Sequence, residues 1–163
     1  MEPGRILVGD HEGIYVLKFT GDVRVNLSAT IDTFLRQLLS RDDFRAVIVD
    51  LSEAEGIDST SLGLLARLSL ETQRRFGYVP TLVSTRPDIS RVLETTGFED
   101  VFHIVREPLV HAAQLGELPC EEDDEEAMRE RVLEAHRTLM AMNDQNRENF
   151  QDLVMALEAE MHR

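Results

Sequence analysis

Strand-like and helix-like stretches alternate along the chain, which predicts an α/β fold: a mixed, mostly parallel β-sheet with α-helices packed against it. Three observations carry this expectation. Short apolar runs recur near residues 5, 14, 46, 80 and 101. Between them the apolar residues change to helical spacing. Beyond residue 126 a stretch without Gly or Pro, rich in helix formers, predicts a long C-terminal helix or a helical hairpin.

The first run, Arg5-Ile-Leu-Val, turns through Asp10-His-Glu-Gly into Ile14-Tyr-Val-Leu-Lys-Phe, a second strand of alternating sides. Thr20-Gly21-Asp22 breaks it. Leu27, Ile31, Phe34, Leu35, Leu38 and Leu39 then recur as one helix face, with Asn26 or Ser28 available as the cap. Ala46-Val-Ile-Val-Asp-Leu is apolar almost throughout and reads as a central strand covered on both faces. An acidic loop with Glu53, Glu55 and Gly56 follows. Asp58-Ser59-Thr60 opens a helix of about four turns that ends near Gly77. Pro80 to Ser84 is a further core strand, Pro87 to Glu94 a short helix, and Val101 to Val105 a last strand. Leu109 to Leu115 could form one more short helix.

The predicted organisation is a domain over residues 1–118, an acidic linker over 119–126 and an amphipathic helical extension over 127–163. In the extension Val132, His136, Leu139, Asn143, Asn146, Phe150, Leu153 and Leu157 follow a 4-3-4 heptad spacing. A single long helix is the first expectation, and a hairpin broken near Asn143-Asp-Gln-Asn146 the second. Either presents one apolar stripe that must meet a second copy, a regulator or the chain's own domain.

The net charge is −14 over 163 residues. Residues 120–163 carry 13 acids against 5 bases, and the remainder 18 against 12. Such a balance argues against nucleic acid and against an anionic membrane surface. No apolar run is long enough to span a bilayer. A single cysteine, Cys120, allows no intrachain disulfide, and a cytoplasmic location is expected.

Little in the chain points to catalysis. The histidines show no metal-ligand spacing with each other or with Cys120, and no phosphate-binding glycine motif is present. No histidine is placed by sequence to activate Ser59. No cofactor, metal or enzymatic activity is expected. What stands out is Ser59 itself: strand, polar loop and helix start put it beside unpaired backbone N–H groups, a place suited to an anion or a cap.

Val47-Ile-Val-Asp50-Leu51, the loop after it, and Asp58-Ser59-Thr60-Ser61-Leu62-Gly63 together resemble the signature of STAS domains, the fold of bacterial anti-sigma factor antagonists. Val16-Leu-Lys-Phe-Thr-Gly21-Asp22 is similar to that family's second strand and turn. The resemblance covers about residues 5–115 and leaves the C-terminal extension outside it. It implies a STAS fold and a protein that switches partners. Unphosphorylated, such an antagonist binds an anti-sigma factor that is also a serine kinase, and so frees the sigma factor. Phosphorylation at the serine after the Asp, here Ser59, blocks binding, and a PP2C-type phosphatase reverses it. The implied partner-binding surface comprises Asp22, Arg24, Glu55, Asp58, Ser59, Thr60 and Leu62. Arg24 stands where the family often has an acid. The alternative role is a scaffold or assembly subunit that oligomerises through the C-terminal helix, and a homodimer or a regulator is the expected occupant of that helix.

Overall fold

A computed structural model describes residues 1–109 and 115–161, so the short helix expected at Leu109 to Leu115 lies almost wholly outside the described residues. Six strands form one sheet in the order β5-β4-β3-β2-β1-β6. β1 (Arg5–His11) and β2 (Ile14–Val23) are antiparallel. Glu12 and Gly13 join them with positive φ at both residues (52° and 85°), the signature of a two-residue type I′ turn. β2, β3 (Ala46–Ile57), β4 (Thr81–Val83) and β5 (His103–Val105) run parallel, and β6 (Gly116–Glu117) adds an antiparallel edge beside β1.

The alternation in β2 sorts its side chains. Tyr15, Leu17, Phe19 and Val23 are buried, while Ile14 is exposed and Val16 and Lys18 are half-buried. β3 behaves in the same way: Val47, Val49 and Leu51 are fully buried but Ala46 and Ile48 only partly. The expectation of a strand covered on both faces is therefore corrected. The core lies on one side of the sheet, against α1 (Ser28–Leu39), α2 (Ser59–Phe76) and α3 (Pro87–Thr95).

Two local expectations also change. The acidic loop is strand: β3 continues through Glu53-Ala-Glu-Gly to Ile57, following β2 across irregularities at Lys18/Thr20 and Gly21/Asp22. Neither Asn26 nor Ser28 caps α1, because a 3-10 turn over Val25–Leu27 feeds the chain into the helix. α2 ends as expected, with Gly77 in the left-handed region (φ 73°).

Tyr78 marks the junction of α2 with the sheet. Its hydroxyl accepts the Val47 amide at 2.8 Å, and burial pushes its pKa above the ordinary value of 10.0. A raised folded-state pKa favours the native state below about pH 10 and loses that contribution as pH rises through the folded value. Tyr78→Phe orphans the Val47 N–H and is expected to cost ~1–2 kcal/mol in denaturant unfolding at pH 7. A loss under ~0.3 kcal/mol would mean that the amide finds another acceptor.

The C-terminal extension is a hairpin rather than one long helix. α4 (Glu125–Met142) starts inside the expected linker, where Asp124 accepts the Ala127 amide at 2.8 Å. Asn143 then adopts extended backbone, and its side-chain oxygen accepts the Asn146 amide at 2.7 Å to start α5 (Asp144–Met161). One Asn thus ends the first helix and caps the second. The hairpin folds onto α2 and the start of α1, so the apolar stripe meets the chain's own domain. Leu133, Ala135 and Leu139 are buried, with Phe150 and Met142 partly so, whereas Leu153 of the expected seam is exposed and Val154 takes its place inside. Among the described residues no helix is long and apolar enough to cross a membrane.

Candidate functional site

The site forms where the long β3 strand delivers the chain to α2. The Asp58 amide donates to the Val23 carbonyl at 3.0 Å, tying the helix start to the end of β2. Asp58 is the N-cap in extended conformation, and its carboxylate accepts the Ser61 amide at 2.9 Å. The capping task therefore falls to Asp58, and the hydroxyl of Ser59, first residue of the helix, takes no part in the cap. An α-helix gives the amides of Ser59 and Thr60 no carbonyl partner within it, so the positive end of α2 lies at this serine.

Asp22, Arg24, Glu55 and Asp58 line one surface cavity of about 260 Å³ beside the helix start, together with Met1 and Ile89. Arg24 donates to Asp22 at 2.8 Å, and this pairing raises the guanidinium pKa. The N-terminal segment closes the far side, with the Glu2 amide donating to Glu55 at 3.2 Å and the Asp22 amide to the Glu2 carbonyl at 2.9 Å. The rim is thus acidic, with its basic residue already engaged.

Of the seven residues expected at a partner surface, Asp22, Arg24, Glu55 and Asp58 come together on this rim, and Ser59 follows Asp58 at the helix start with its hydroxyl turned toward α4. Thr60 and Leu62 point inward: Thr60 is buried and Leu62 belongs to the hydrophobic core, so in this conformation neither offers a surface to a partner.

His136 was not foreseen. Its Nε2 lies 2.7 Å from the Ser59 hydroxyl oxygen, and its Nδ1 lies 2.7 Å from the Val132 carbonyl. A carbonyl can only accept, so Nδ1 carries the proton. In a neutral imidazole Nε2 is then the acceptor, and the Ser59 hydroxyl donates to it. Phe150 of α5 packs its ring edge-on against the imidazole at 5.3 Å between centroids, and His136 is almost completely buried. The expectation that no histidine reaches Ser59 is corrected by α4. Two signals in the sequence pointed this way. A helical seam with His136, Asn143 and Asn146 at its centre must find polar partners, and Gly63, one turn after Ser59, opens room for a close approach. Backbone and side chain of Ala135 occupy that room.

Replacing Asp58 by Ala removes the cap and is expected to cost ~1 kcal/mol in thermal or denaturant unfolding. Asp58→Asn should recover most of it, since the amide oxygen can accept the same N–H. Equal losses for both variants would show that the charge of Asp58, and not its hydrogen bond, stabilises the helix start.

The fold and this helix start define an α/β domain with a serine in the first turn of its second helix. The family model described as STAS domain matches residues 5–109, and the chain belongs to the STAS domain family. A search of curated protein sequences finds no match. Among solved structures the chain is similar to an anti-sigma factor antagonist from Mycobacterium paratuberculosis. The two share 24% identity and a TM-score of 0.55 over 63% of this chain and 85% of that one. At that identity the likeness is one of fold. The α4–α5 hairpin lies outside the residues that the family model matches.

Proposed function

We propose that this STAS chain is a cytoplasmic, phosphorylation-controlled antagonist of an anti-sigma factor, acting by partner switching with Ser59 as the phospho-acceptor. The observation that carries the reading is the division of labour at the α2 start: Asp58 caps the helix, which leaves the Ser59 hydroxyl at its positive end out of the cap. In this reading the unphosphorylated rim of Asp22, Arg24, Glu55, Asp58 and Ser59 docks on the anti-sigma factor. That partner, a serine kinase, modifies Ser59 and is released, and a PP2C-type phosphatase restores the hydroxyl.

A phosphate adds about −1.5 to −2 charges and three acceptor oxygens. The domain tolerates it because the amides at the helix start and the dipole favour an anion. The interface does not, because Asp22, Glu55 and Asp58 already concentrate negative charge there and docking would strip water from the phosphate. The switch at the docking rim is local electrostatics. The Arg24–Asp22 pair makes this rim less acidic than its carboxylates alone would, which bears on which kinase recognises it.

A scaffold that oligomerises through the C-terminal stripe would need its His136, Leu139 and Asn146, and the chain's own fold already covers these. The deciding experiment is incubation with an anti-sigma kinase and ATP, followed by phosphosite mapping. Modification of Ser59, absent in Ser59→Ala, supports the reading. A chain that binds the kinase and stays unmodified at Ser59 removes its phosphorylation part.

A further inference from the structure

We infer that the α4–α5 hairpin is a detachable intramolecular cover over the Ser59 site, and that it must leave α2 before another protein can dock there. The inference deepens the reading of Ser59 as the regulated residue. It stands on three contacts and on the character of the surface between them. His136 holds the Ser59 hydroxyl, Ala135 fills the space over Gly63, and Arg131 enters a buried cluster where it meets Ser28, Asp32 and Asp123. At the hairpin's far end Asn146 donates to the Thr96 carbonyl at 2.9 Å, beyond α3. The helix face next to Ser59 is therefore occupied by the chain itself.

The surface is built to come apart. Beside Ala135 and Leu139, which join the domain's apolar core, three polar side chains cross it: Arg131, His136 and Asn146, all at least nine-tenths buried. Among the described residues, four buried side-chain polar atoms have no hydrogen-bond partner: Asp32 Oδ1, Arg131 Nε, Asn146 Oδ1 and Ser61 Oγ. Three of them belong to groups that meet at the hairpin–domain surface, and the fourth is in the first turn of α2. Water could satisfy such groups once the hairpin lifts, so opening recovers hydration that docking gives up. Leu118 stays anchored, its amide donating to the Ile6 carbonyl at 2.9 Å, and segment 119–124 beyond it, held by the Glu121 amide to Thr30, is the tether.

Closed hairpin and docked partner then compete for one surface. A partner's apparent affinity falls by the fraction of time the hairpin is open, and anything that captures the hairpin raises it. Phosphorylation would join the same balance. An esterified Ser59 oxygen has no proton to donate to His136, so the modified serine cannot keep the contact as it stands.

The test reads access to residue 59 without a kinase. In the full chain with Cys120→Ser, Ser59→Cys is labelled with N-ethylmaleimide. Gly63→Ala or Ala135→Leu is then added as a wedge from either side of the contact. A Cβ on Gly63 meets Ala135 first, so the wedge is placed at the hairpin contact itself. Labelling is expected to accelerate about tenfold or more with either wedge, as for a local opening equilibrium moved by that factor. Hydrogen exchange should quicken in α4 and α5 while β2 and β3 keep their protection. Labelling of the unwedged chain at the rate of an exposed thiol, or no acceleration by either wedge with intact sheet protection, overturns the cover. Loss of sheet protection with both wedges also overturns it, because the hairpin would then be part of the cooperative core. A chain that opens as expected but is never phosphorylated at Ser59 keeps the cover and loses the phospho-acceptor reading, so the two fail separately.

Discussion

Ser59→Asp is expected to weaken binding to the anti-sigma partner about a hundredfold, ~2.7 kcal/mol, while Ser59→Ala binds at least as tightly as the native chain. The size follows from where the charge is placed. The new carboxylate stands next to Asp58, which lines one cavity with Glu55 and Asp22, and Arg24 is committed to Asp22. Like charges brought together under a docked protein cost several kcal/mol, because the water that screens them in the open rim is expelled. Folding should show no matching loss. An acid at the first position of a helix is favoured by ~0.3–1 kcal/mol through the dipole. Titration calorimetry with the partner, set beside unfolding curves of both variants, separates interface from stability. Both variants delete the hydroxyl that donates to His136 and so loosen the hairpin; in Ser59→Ala this comes without the added charge, which accounts for the expectation of binding as tight or tighter. If Ser59→Asp binds within threefold of the native chain, charge at this position is not the switch. Raising the salt should narrow the gap between the two variants only in part, since a desolvated charge is poorly screened.

How much of this could be read from the sequence depends on whether the cause was local. The β1–β2 turn was legible because Glu12-Gly13 carries its own geometry, and so were the Asp58 cap and the Gly77 stop. The rim was legible because its residues sit at the ends of two neighbouring parallel strands. The resemblance added that these residues belong together. β3 was misjudged at its acidic end because Glu53-Ala-Glu-Gly has poor strand propensity, and only pairing with the irregular end of β2 holds it extended. The hairpin break was unmarked by Gly or Pro. Asn143 breaks the helix because it caps α5 and lies against Thr96 and Gly97, a choice made by the domain beneath it. His136 was the hardest. Its partner is distant in sequence, and the heptad pattern suggested an intermolecular seam. In that pattern the polar residues were the informative ones. His136 and Asn146 each bond to a specific group on the domain, which a purely apolar stripe would not require.

The contact that should decide how firmly the hairpin holds is Arg131, and Arg131→Ala is expected to lower stability by about 3 kcal/mol. Its guanidinium donates to the Ser28 hydroxyl at 2.9 Å, pairs with Asp123 and faces Asp32 at 3.7 Å. Removing one partner of a buried ionic cluster leaves the others desolvated, which typically costs 3–5 kcal/mol. The low end applies here because Asp32 keeps Arg36 at 3.0 Å and Arg67 at 3.6 Å. A loss of this size lowers the melting temperature by roughly 6–12 °C if hairpin and domain unfold together. If the hairpin separates first, the same loss appears as rapid exchange confined to α4 and α5. Arg131→Lys should recover little, since a single ammonium cannot reach Ser28, Asp32 and Asp123 in the directions a guanidinium fork does. Arg131→Met paired with Asp32→Leu should recover much more, because an apolar pair avoids the desolvation of both charges. A double-mutant cycle between Arg131 and Asp32 measures the coupling directly, and a value near zero would assign the stabilisation to the aliphatic stem of Arg131 instead. The cluster's design fits a cover that must both hold and release. Its charges fix where α4 lands on α1, and the desolvation they carry keeps the docked state from being much more stable than the open one.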